Sequence, residues 1–289
     1  MYPAVFEYHR ADSIKDALAM LAQYGDDAKL LAGGHSLLPI MKMRLAQPRH
    51  LVDISAVADL RRIDEQGGRI VIGAAVRHHE VVESALVQSQ LGLLAECAAT
   101  IGDVQVRNRG TLGGSLSHAD PAADYPAAVL ALDGEITLAS AAGERTVQSA
   151  DFFVGLMTTA LGQAEIMSRV SFAPLAPGTG FAYVKHPQPA SGFAIVGVAA
   201  VVALNRKGSI ETVRVGITGL AAKAFRATAV EAALKGVTPN AKTLADAASH
   251  GTAGVEPLSD IHASAEFRAE LARVHALEAL QRAVARARG

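Results

Sequence analysis

The chain is 289 residues long and carries 27 Lys and Arg against 28 Asp and Glu, a formal net charge of −1. This balance predicts no nucleic-acid partner, and an apolar content of 50% excludes a disordered chain. The single cysteine, Cys97, excludes an internal disulfide framework and any site ligated by several cysteines. The longest apolar run, Phe193 to Leu204, is shorter than the roughly 20 residues of a membrane helix, and it predicts a buried strand.

The opening of the chain predicts a β-α-β arrangement followed by a loop and a third strand. A helix is expected to begin at Asp12 or Ser13, whose side chains can cap it, and to end at Gly25. Apolar residues recur at helical spacing between these ends. The strands are expected at residues 4–8, 29–32 and 50–54.

The middle of the chain mixes strand and helix patterns. Strands are expected at residues 70–72, 135–139 and 165–172, and helices at 80–99, in two pieces, and at 127–132. Two prolines and two glycines in residues 173–180 can continue neither a helix nor a central strand. This segment therefore predicts a linker between two domains, residues 1–175, in two parts (1–58 and 59–175), and residues 176–289.

Beyond the linker the pattern predicts strands and then helices. Three strands are expected at residues 180–185, 194–204 and 209–218, with a hairpin turn at Asn205–Gly208 between the last two. The tail is alanine-rich and helical. Its predicted apolar stripe comprises Phe267, Leu271, Val274, Leu277, Leu280 and Val284.

Two segments place paired glycines beside hydroxyl residues. They are the first glycine loop, Ala32-Gly33-Gly34-His35-Ser36, and the second glycine loop, Thr111-Leu112-Gly113-Gly114-Ser115. Paired glycines permit positive φ and can gather backbone amides into a nest that binds an anion such as a diphosphate. One such pair alone is more often a plain tight turn. Two with matching flanks could close on one diphosphate from two sides.

The common nucleotide and hydrolase motifs are absent. No Gly-x-Gly-x-x-Gly follows the first strand, and no Gly-Lys-Ser or Gly-Lys-Thr occurs, which argues against a Rossmann site and a P-loop. Ser36 is followed by two leucines, so it is not a nucleophile elbow. The ten histidines show no ligand-like spacing in the sequence, and no metal site is expected.

The sequence around the loops resembles a known family closely. Residues 29–48 are KLLAGGHSLLPIMKMRLAQP, and residues 106–126 are VRNRGTLGGSLSHADPAADYP. These segments resemble the FAD-binding medium subunit of the molybdenum hydroxylases, in particular the aerobic carbon monoxide dehydrogenase type. The resemblance extends over nearly the whole chain. It implies an α+β fold, with a two-part FAD-binding domain of the vanillyl-alcohol-oxidase type and a small C-terminal α+β domain, an antiparallel three-stranded sheet with helices.

The resemblance also implies contacts to FAD. Both glycine loops match segments that hold the diphosphate through backbone amides, although many relatives carry Asp or Asn in place of Ser115. The other implied contacts are Asp124 to a ribose hydroxyl, Ile101, Gly102 and Met167 beside the flavin, Lys185 reaching back from the C-terminal domain, and Phe193 beside the ring. The alternatives are a helix N-cap for Asp124, core positions for Met167 and Phe193, and a solvated strand end for Lys185.

The implied function is electron transfer in a complex. The family's large subunit carries a molybdenum cofactor and its small subunit carries two [2Fe–2S] clusters. The resemblance therefore implies that both subunits are partners of this chain and that the complex is a dimer of heterotrimers. No catalytic residue is expected in this chain. A cytoplasmic location is expected, since no signal peptide is visible and no transmembrane segment is predicted, and peripheral membrane association is compatible with it. Two alternatives are a self-contained FAD oxidoreductase, with His186 handling protons, and a non-catalytic scaffold without FAD.

Overall fold

A computed structural model describes the whole chain, residues 1–289. Residues 1–58 form a small α/β unit. Its elements are β1 (Glu7–Arg10), α1 (Ile14–Tyr24), β2 (Ala28–Leu31), α2 (Leu37–Lys42) and β3 (His50–Asp53). The strands make a parallel sheet in the order β1-β3-β2. As predicted, the Ser13 side chain caps α1 and Gly25 ends it with a positive φ of 55°. The strand expected at residues 4–8 is shifted, because the chain pairs with β3 only from Glu7 onward.

The second part is built on a larger antiparallel sheet. Its strands are β4 (Ile63–Gln66), β5 (Arg69–Gly73), β6 (Glu135–Ser140), β7 (Gly143–Gln148) and β10 (Ile166–Phe172), with a separate short ladder of β8 (Phe153–Gly155) and β9 (Thr158–Thr159). The sheet order is β4-β5-β10-β6-β7. Its helices are α3 (His78–Glu83), α4 (Ala85–Gln90), α5 (Gly92–Ala99), α6 (Val104–Arg107), α7 (Leu112–His118), α8 (Tyr125–Ala131) and α9 (Ser149–Phe152).

Two helix predictions need correction. Residues 80–99 form three helices rather than two, because the Ser84 side chain caps α4 and separates it from α3. The second glycine loop is the first turn of helix α7, with Thr111 as its cap. A Gly-Gly pair disfavours helix intrinsically, so the sequence alone gave no indication of a helix there.

The C-terminal part is a four-stranded antiparallel sheet covered by helices. Its elements are β11 (Thr179–Pro187), β12 (Ala194–Leu204), β13 (Ile210–Thr218), β14 (Phe225–Arg226), α10 (Thr228–Leu234), α11 (Ala241–Ala248) and α12 (Ala265–Arg288). The expectation of three strands was wrong, because β14 is only two residues long and too short for an alternating pattern. The hairpin turn at Asn205–Gly208 is confirmed. The boundary at residues 175/176 falls between β10 and β11 and stays a prediction.

Strand β12 separates two hydrophobic cores. Along it, Val198, Ala200 and Val202 belong to the C-terminal core, whereas Ala199 and Val201 belong to the core of the preceding part. Successive side chains of a strand point to opposite faces, so one strand contributes to both cores. This explains the unbroken apolar run in the sequence.

Helix α12 packs closely on the C-terminal sheet. A Cβ on Gly180 would lie 1.8 Å from the Ala283 carbonyl oxygen, so the backbones are in contact. Only small side chains fit between a helix and a sheet that lie so close together. The helix residues at this contact are alanines, and all four are fully buried: Ala272, Ala276, Ala279 and Ala283. The predicted stripe is therefore partly wrong, since Phe267 and Val274 are 47% and 40% exposed. Neither α12 nor any other helix combines the length and apolar character needed to cross a membrane.

Candidate functional site

A cavity of about 630 Å³ lies where the two glycine loops meet the C-terminal part. Thirteen of the residues predicted for the site line it, and they come from segments far apart in sequence. They are Ala32, Gly33, Gly34, His35, Ser36, Ile101, Gly102, Thr111, Gly113, Gly114, Ser115, Asp124 and Met167. Leu112 and Lys185 do not line it. The volume is in the range of cofactor sites.

The first glycine loop presents unpaired backbone amides to the cavity. The amides of residues 33–37 donate no hydrogen bond within the chain, although these residues line the cavity. Gly34 has a φ of 77°, which a residue with a Cβ adopts only with strain. Unpaired amides of consecutive residues form an anion-binding nest. This loop therefore has the chemistry predicted for it.

The second glycine loop works differently. The amides of Leu112 and Gly113 donate to the carbonyls of Val76 and Ala74, each at 2.9 Å, and that of Gly114 donates to the Thr111 hydroxyl at 3.0 Å. These three amides are already paired within the chain, unlike those of the first glycine loop, and their contact with a diphosphate stays a prediction. The loop offers the cavity the hydroxyl groups of Thr111 and Ser115, both of which were predicted. Ser117, further along α7, also lines the cavity and was not predicted.

The glycines of these loops allow close approach. A Cβ on Gly113 would lie 2.4 Å from the Ala74 Cβ, and one on Gly33 would lie 2.2 Å from the Arg109 carbonyl oxygen. Gly33 thus touches the backbone just before the second glycine loop. The structure therefore brings the two loops together in the wall of one cavity, and their closing on a single diphosphate stays a prediction.

A buried ion pair stands at the C-terminal side of the cavity. The Lys185 ammonium lies 3.0 Å from an Asp124 carboxylate oxygen, and the two side chains are 6% and 4% exposed. The Tyr183 hydroxyl donates to the same carboxylate at 2.5 Å. Asp124 does occupy the N-cap position of α8, but its side chain makes no capping hydrogen bond and binds Lys185 and Tyr183 instead.

Lys185 organises the cavity wall without entering it. Its ammonium also donates to the carbonyls of Thr100 and Gly192, each at 2.7 Å. Three segments therefore converge on one cation, and the alternative of a solvated strand end is wrong. Burial raises the pKa of Asp124 to about 6, while Lys185 and Tyr183 favour its charged form and limit that rise.

The remaining predicted contacts lie around the same wall. Arg107 donates to the carbonyls of Ile101 and Gly102 at 2.9 and 3.1 Å, which fixes the loop before α6. Met167 is 3% exposed and belongs to the core as well as to the cavity wall. Phe193 also lines the cavity and is 42% exposed, so it is not a core residue.

His78 is a cavity residue that the sequence did not single out. It is 4% exposed, its Nδ1 makes no hydrogen bond, and its ring meets Tyr125 edge-on at 5.2 Å. Burial lowers its pKa to about 3, so the ring is neutral at pH 7. The only sequence signal was the pair His78-His79, which does not distinguish a buried ring from an exposed one.

Comparison with known proteins identifies the family. The model described as the FAD binding domain in molybdopterin dehydrogenase matches residues 4–175, and the CO dehydrogenase flavoprotein C-terminal domain matches residues 181–283. The chain belongs to the FAD-binding medium subunits of the molybdenum hydroxylases, of the carbon monoxide dehydrogenase type. FAD is accordingly its cofactor, and it is an oxidoreductase subunit.

Relatives of this medium-subunit family match over the full chain. The carbon monoxide dehydrogenase medium chain of Hydrogenophaga pseudoflava is 40% identical over 99% of both chains. The 6-hydroxypseudooxynicotine dehydrogenase complex subunit alpha of Paenarthrobacter nicotinovorans is 37% identical over 100% of this chain and 97% of its own. A solved structure of the Hydrogenophaga carbon monoxide dehydrogenase superposes with a TM-score of 0.96, at 42% identity and 99% coverage of both chains.

Removing the close approach at Gly33 should abolish FAD binding. In Gly33→Ala the new Cβ would meet the Arg109 backbone, which cannot move away as a flexible side chain could. Gly155→Ala is the matched comparison, because Gly155 lies outside the cavity lining and its Cβ would meet only Thr158, at 3.8 Å. Flavin released on denaturation, per mole of chain, should fall strongly in Gly33→Ala and stay at the wild-type value in Gly155→Ala. Full flavin content in Gly33→Ala would contradict the contact.

Breaking the buried ion pair should destabilise the chain. Lys185→Met leaves the Asp124 carboxylate buried without its cation, which typically costs about 3–5 kcal/mol. Adding Asp124→Asn removes the uncompensated charge and should recover part of the loss. Urea unfolding of the wild type, the single variant and the double variant measures both effects. A single variant as stable as the wild type would show that the pair contributes little.

His78 should make stability depend on pH. Its pKa is about 3 in the folded chain and about 6.5 when unfolded. Between these values only the unfolded state binds the proton, so the free energy of unfolding falls as the pH falls. The contribution from pH 7 to 5 is about 2 kcal/mol. In urea unfolding of the flavin-free chain, the free energy of unfolding should fall from pH 7 to 5 by about 2 kcal/mol less in His78→Gln than in the wild type. In the exposed-site control His250→Gln it should fall by as much as in the wild type. Equal losses would be inconsistent with a buried neutral ring.

Proposed function

We propose that this subunit carries electrons within a molybdenum hydroxylase complex, taking them from [2Fe–2S] clusters of a partner and passing them to an external acceptor. When bound, FAD supplies chemistry suited to that task, since it exchanges electrons singly with iron–sulfur clusters and in pairs with other acceptors. The observation that carries the proposal is the cavity itself. It offers amides, hydroxyls and apolar side chains to a cofactor, and its one strongly perturbed histidine, His78, is buried and neutral.

We assign the following roles to the cavity residues. The unpaired amides of residues 33–37 hold the diphosphate, and the hydroxyls of Thr111 and Ser115 add donors from the other side. The Asp124 carboxylate has acceptor capacity beyond the bonds from Lys185 and Tyr183, so it can also accept a ribose hydroxyl. Ile101, Met167 and Phe193 are the apolar groups beside the flavin ring.

The alternatives receive no comparable support. A self-contained oxidoreductase would need a proton-handling residue at the cavity, and His186 was the candidate. His186 lies outside the cavity lining and packs instead against Phe267 and His275 of α12, at ring distances of 6.0 and 6.1 Å. A scaffold without FAD would have no need to leave the amides of residues 33–37 unpaired in a cavity wall.

The proposed partners are a large subunit with a molybdenum cofactor and a small subunit with two [2Fe–2S] clusters. Together with this chain they would form a dimer of heterotrimers, located in the cytoplasm or at the inner face of the cytoplasmic membrane. One cysteine cannot ligate such clusters, which take about four ligands each. Relatives of similar length are named for complexes acting on carbon monoxide, glyceraldehyde and caffeine. We therefore place the choice of substrate in the large subunit.

The proposal predicts that the isolated chain oxidises no substrate of the complex. Purified flavin-loaded chain, kept anaerobic, should retain its flavin absorbance with carbon monoxide or an aldehyde, and dithionite should bleach it. Adding the proposed large and small subunits should let the complex's own substrate bleach the flavin. Bleaching by substrate in the isolated chain would overturn the subunit assignment in favour of the self-contained enzyme.

A further inference from the structure

Three side chains able to bind a metal meet on the small parallel sheet. Glu7 and His9 are two residues apart on β1, and therefore on one face, while Glu7 pairs directly with His50 on β3. Their ligand atoms lie within 4.8 Å of one another. The sequence showed no ligand-like spacing because these residues come together across strands rather than along a helix or loop. None of the three lines the FAD cavity.

The distances between the ligand atoms suit a tetrahedral metal ion. His9 Nε2 lies 3.1 Å from His50 Nδ1, and the Glu7 carboxylate oxygen lies 3.8 Å from the first and 3.6 Å from the second. Ligands about 2.0–2.1 Å from a tetrahedral Zn²⁺ are about 3.3 Å apart. Shifts of a few tenths of an ångström, mainly of the exposed Glu7 side chain, would bring all three into coordination.

The surroundings orient the two imidazoles and favour a cation. The Tyr24 ring stacks on His9 and His50, at centroid distances of 4.7 and 4.0 Å. Tyr24 is also the last residue of α1, so the partial negative charge of that helix end is close by. The other ring nitrogens, His9 Nδ1 and His50 Nε2, make no hydrogen bond within the chain and are free to hold the imidazole protons.

Strand β1 is the element that such an ion would stabilise. It is the edge strand of its sheet, and none of its four residues is buried. Apart from main-chain pairing, it is held to β3 by the Tyr8 hydroxyl bond to Asp53 at 2.6 Å and by the His9–His50 contact on the other face. An edge strand that buries none of its own residues is the kind of element that a metal clip stabilises.

We propose that Glu7, His9 and His50 form a binding site for a divalent transition-metal ion, Zn²⁺ foremost, that clips β1 to β3. Two imidazole nitrogens and one carboxylate favour zinc over magnesium or calcium, which prefer all-oxygen sites. The three ligands leave a fourth tetrahedral position for water. Binding requires one imidazole to move its proton to the other ring nitrogen, and no electron transfer is involved.

The test is a Zn²⁺ titration of the untagged, EDTA-treated full chain, followed by calorimetry, with Co²⁺ absorption as a probe of coordination. We expect one ion per chain, the intense visible bands of four-coordinate Co²⁺, and a higher melting temperature with Zn²⁺. His9→Gln and His50→Gln should each weaken binding by more than about ten-fold, the lower end of what loss of even an outer partner costs. His250→Gln, at an exposed histidine elsewhere, should bind as the wild type does.

A fold-neutral variant keeps the test decisive. Glu7→Gln changes an exposed side chain and should preserve the circular dichroism spectrum while weakening Zn²⁺ binding by about ten-fold. Flavin content should be unchanged in this variant, which separates the metal site from the FAD site. Wild-type Zn²⁺ affinity in Glu7→Gln and in both histidine variants, or no stoichiometric binding by the wild type, would overturn the proposal.

Discussion

The cavity depends on one buried cation. Lys185 comes from the C-terminal sheet, yet its ammonium is bound by the carbonyl that follows α5, the carboxylate that precedes α8 and the carbonyl of Gly192. Each of these acceptors belongs to, or directly adjoins, a segment of the cavity wall. A charge removed from water is tolerated only when its hydrogen-bonding capacity is met. Satisfying this one ammonium therefore fixes the relative positions of three segments that share no secondary structure.

Packing around this cation joins the two predicted domains. The core of the FAD-binding part includes Tyr183, Ala199 and Val201 from the C-terminal sheet. Gly216 on β13 brings the backbones into contact, since a Cβ there would lie 2.1 Å from the Ala127 carbonyl oxygen. The opposite face of the same sheet is covered by α12. The core of the FAD-binding part thus extends across the predicted domain boundary onto one face of the C-terminal sheet.

Sequence reasoning predicted the elements with strong local patterns. Most of the site residues that it predicted through family resemblance line the cavity. Ser13, Gly25 and the hairpin at Asn205 have local causes, and the structure confirms them. The predictions failed where contacts between segments distant in sequence determine the structure. The second glycine loop is the first turn of a helix, whose glycines allow close packing, and the alanines of α12 are buried because the helix lies so close to the sheet. The spacing of residues along the chain could not show that His50 lies beside Glu7, because the register of two paired strands cannot be deduced from the sequence of either strand alone.

The Tyr183 hydroxyl connects the cavity to the alignment of the C-terminal strands. Its ring reaches Asp124 across β12 at Gly197, where a Cβ would lie 2.3 Å from the phenolic oxygen. The neighbours of Gly197 are Val196 and Val198, so a slip of β12 by one residue would drive a valine into that ring. The two faces of β12 carry side chains of similar size, and hydrophobicity alone would scarcely oppose such a slip. One glycine and one tyrosine therefore set the register of this sheet, and a misaligned sheet would lose the Tyr183 hydrogen bond to the Asp124 carboxylate in the cavity wall.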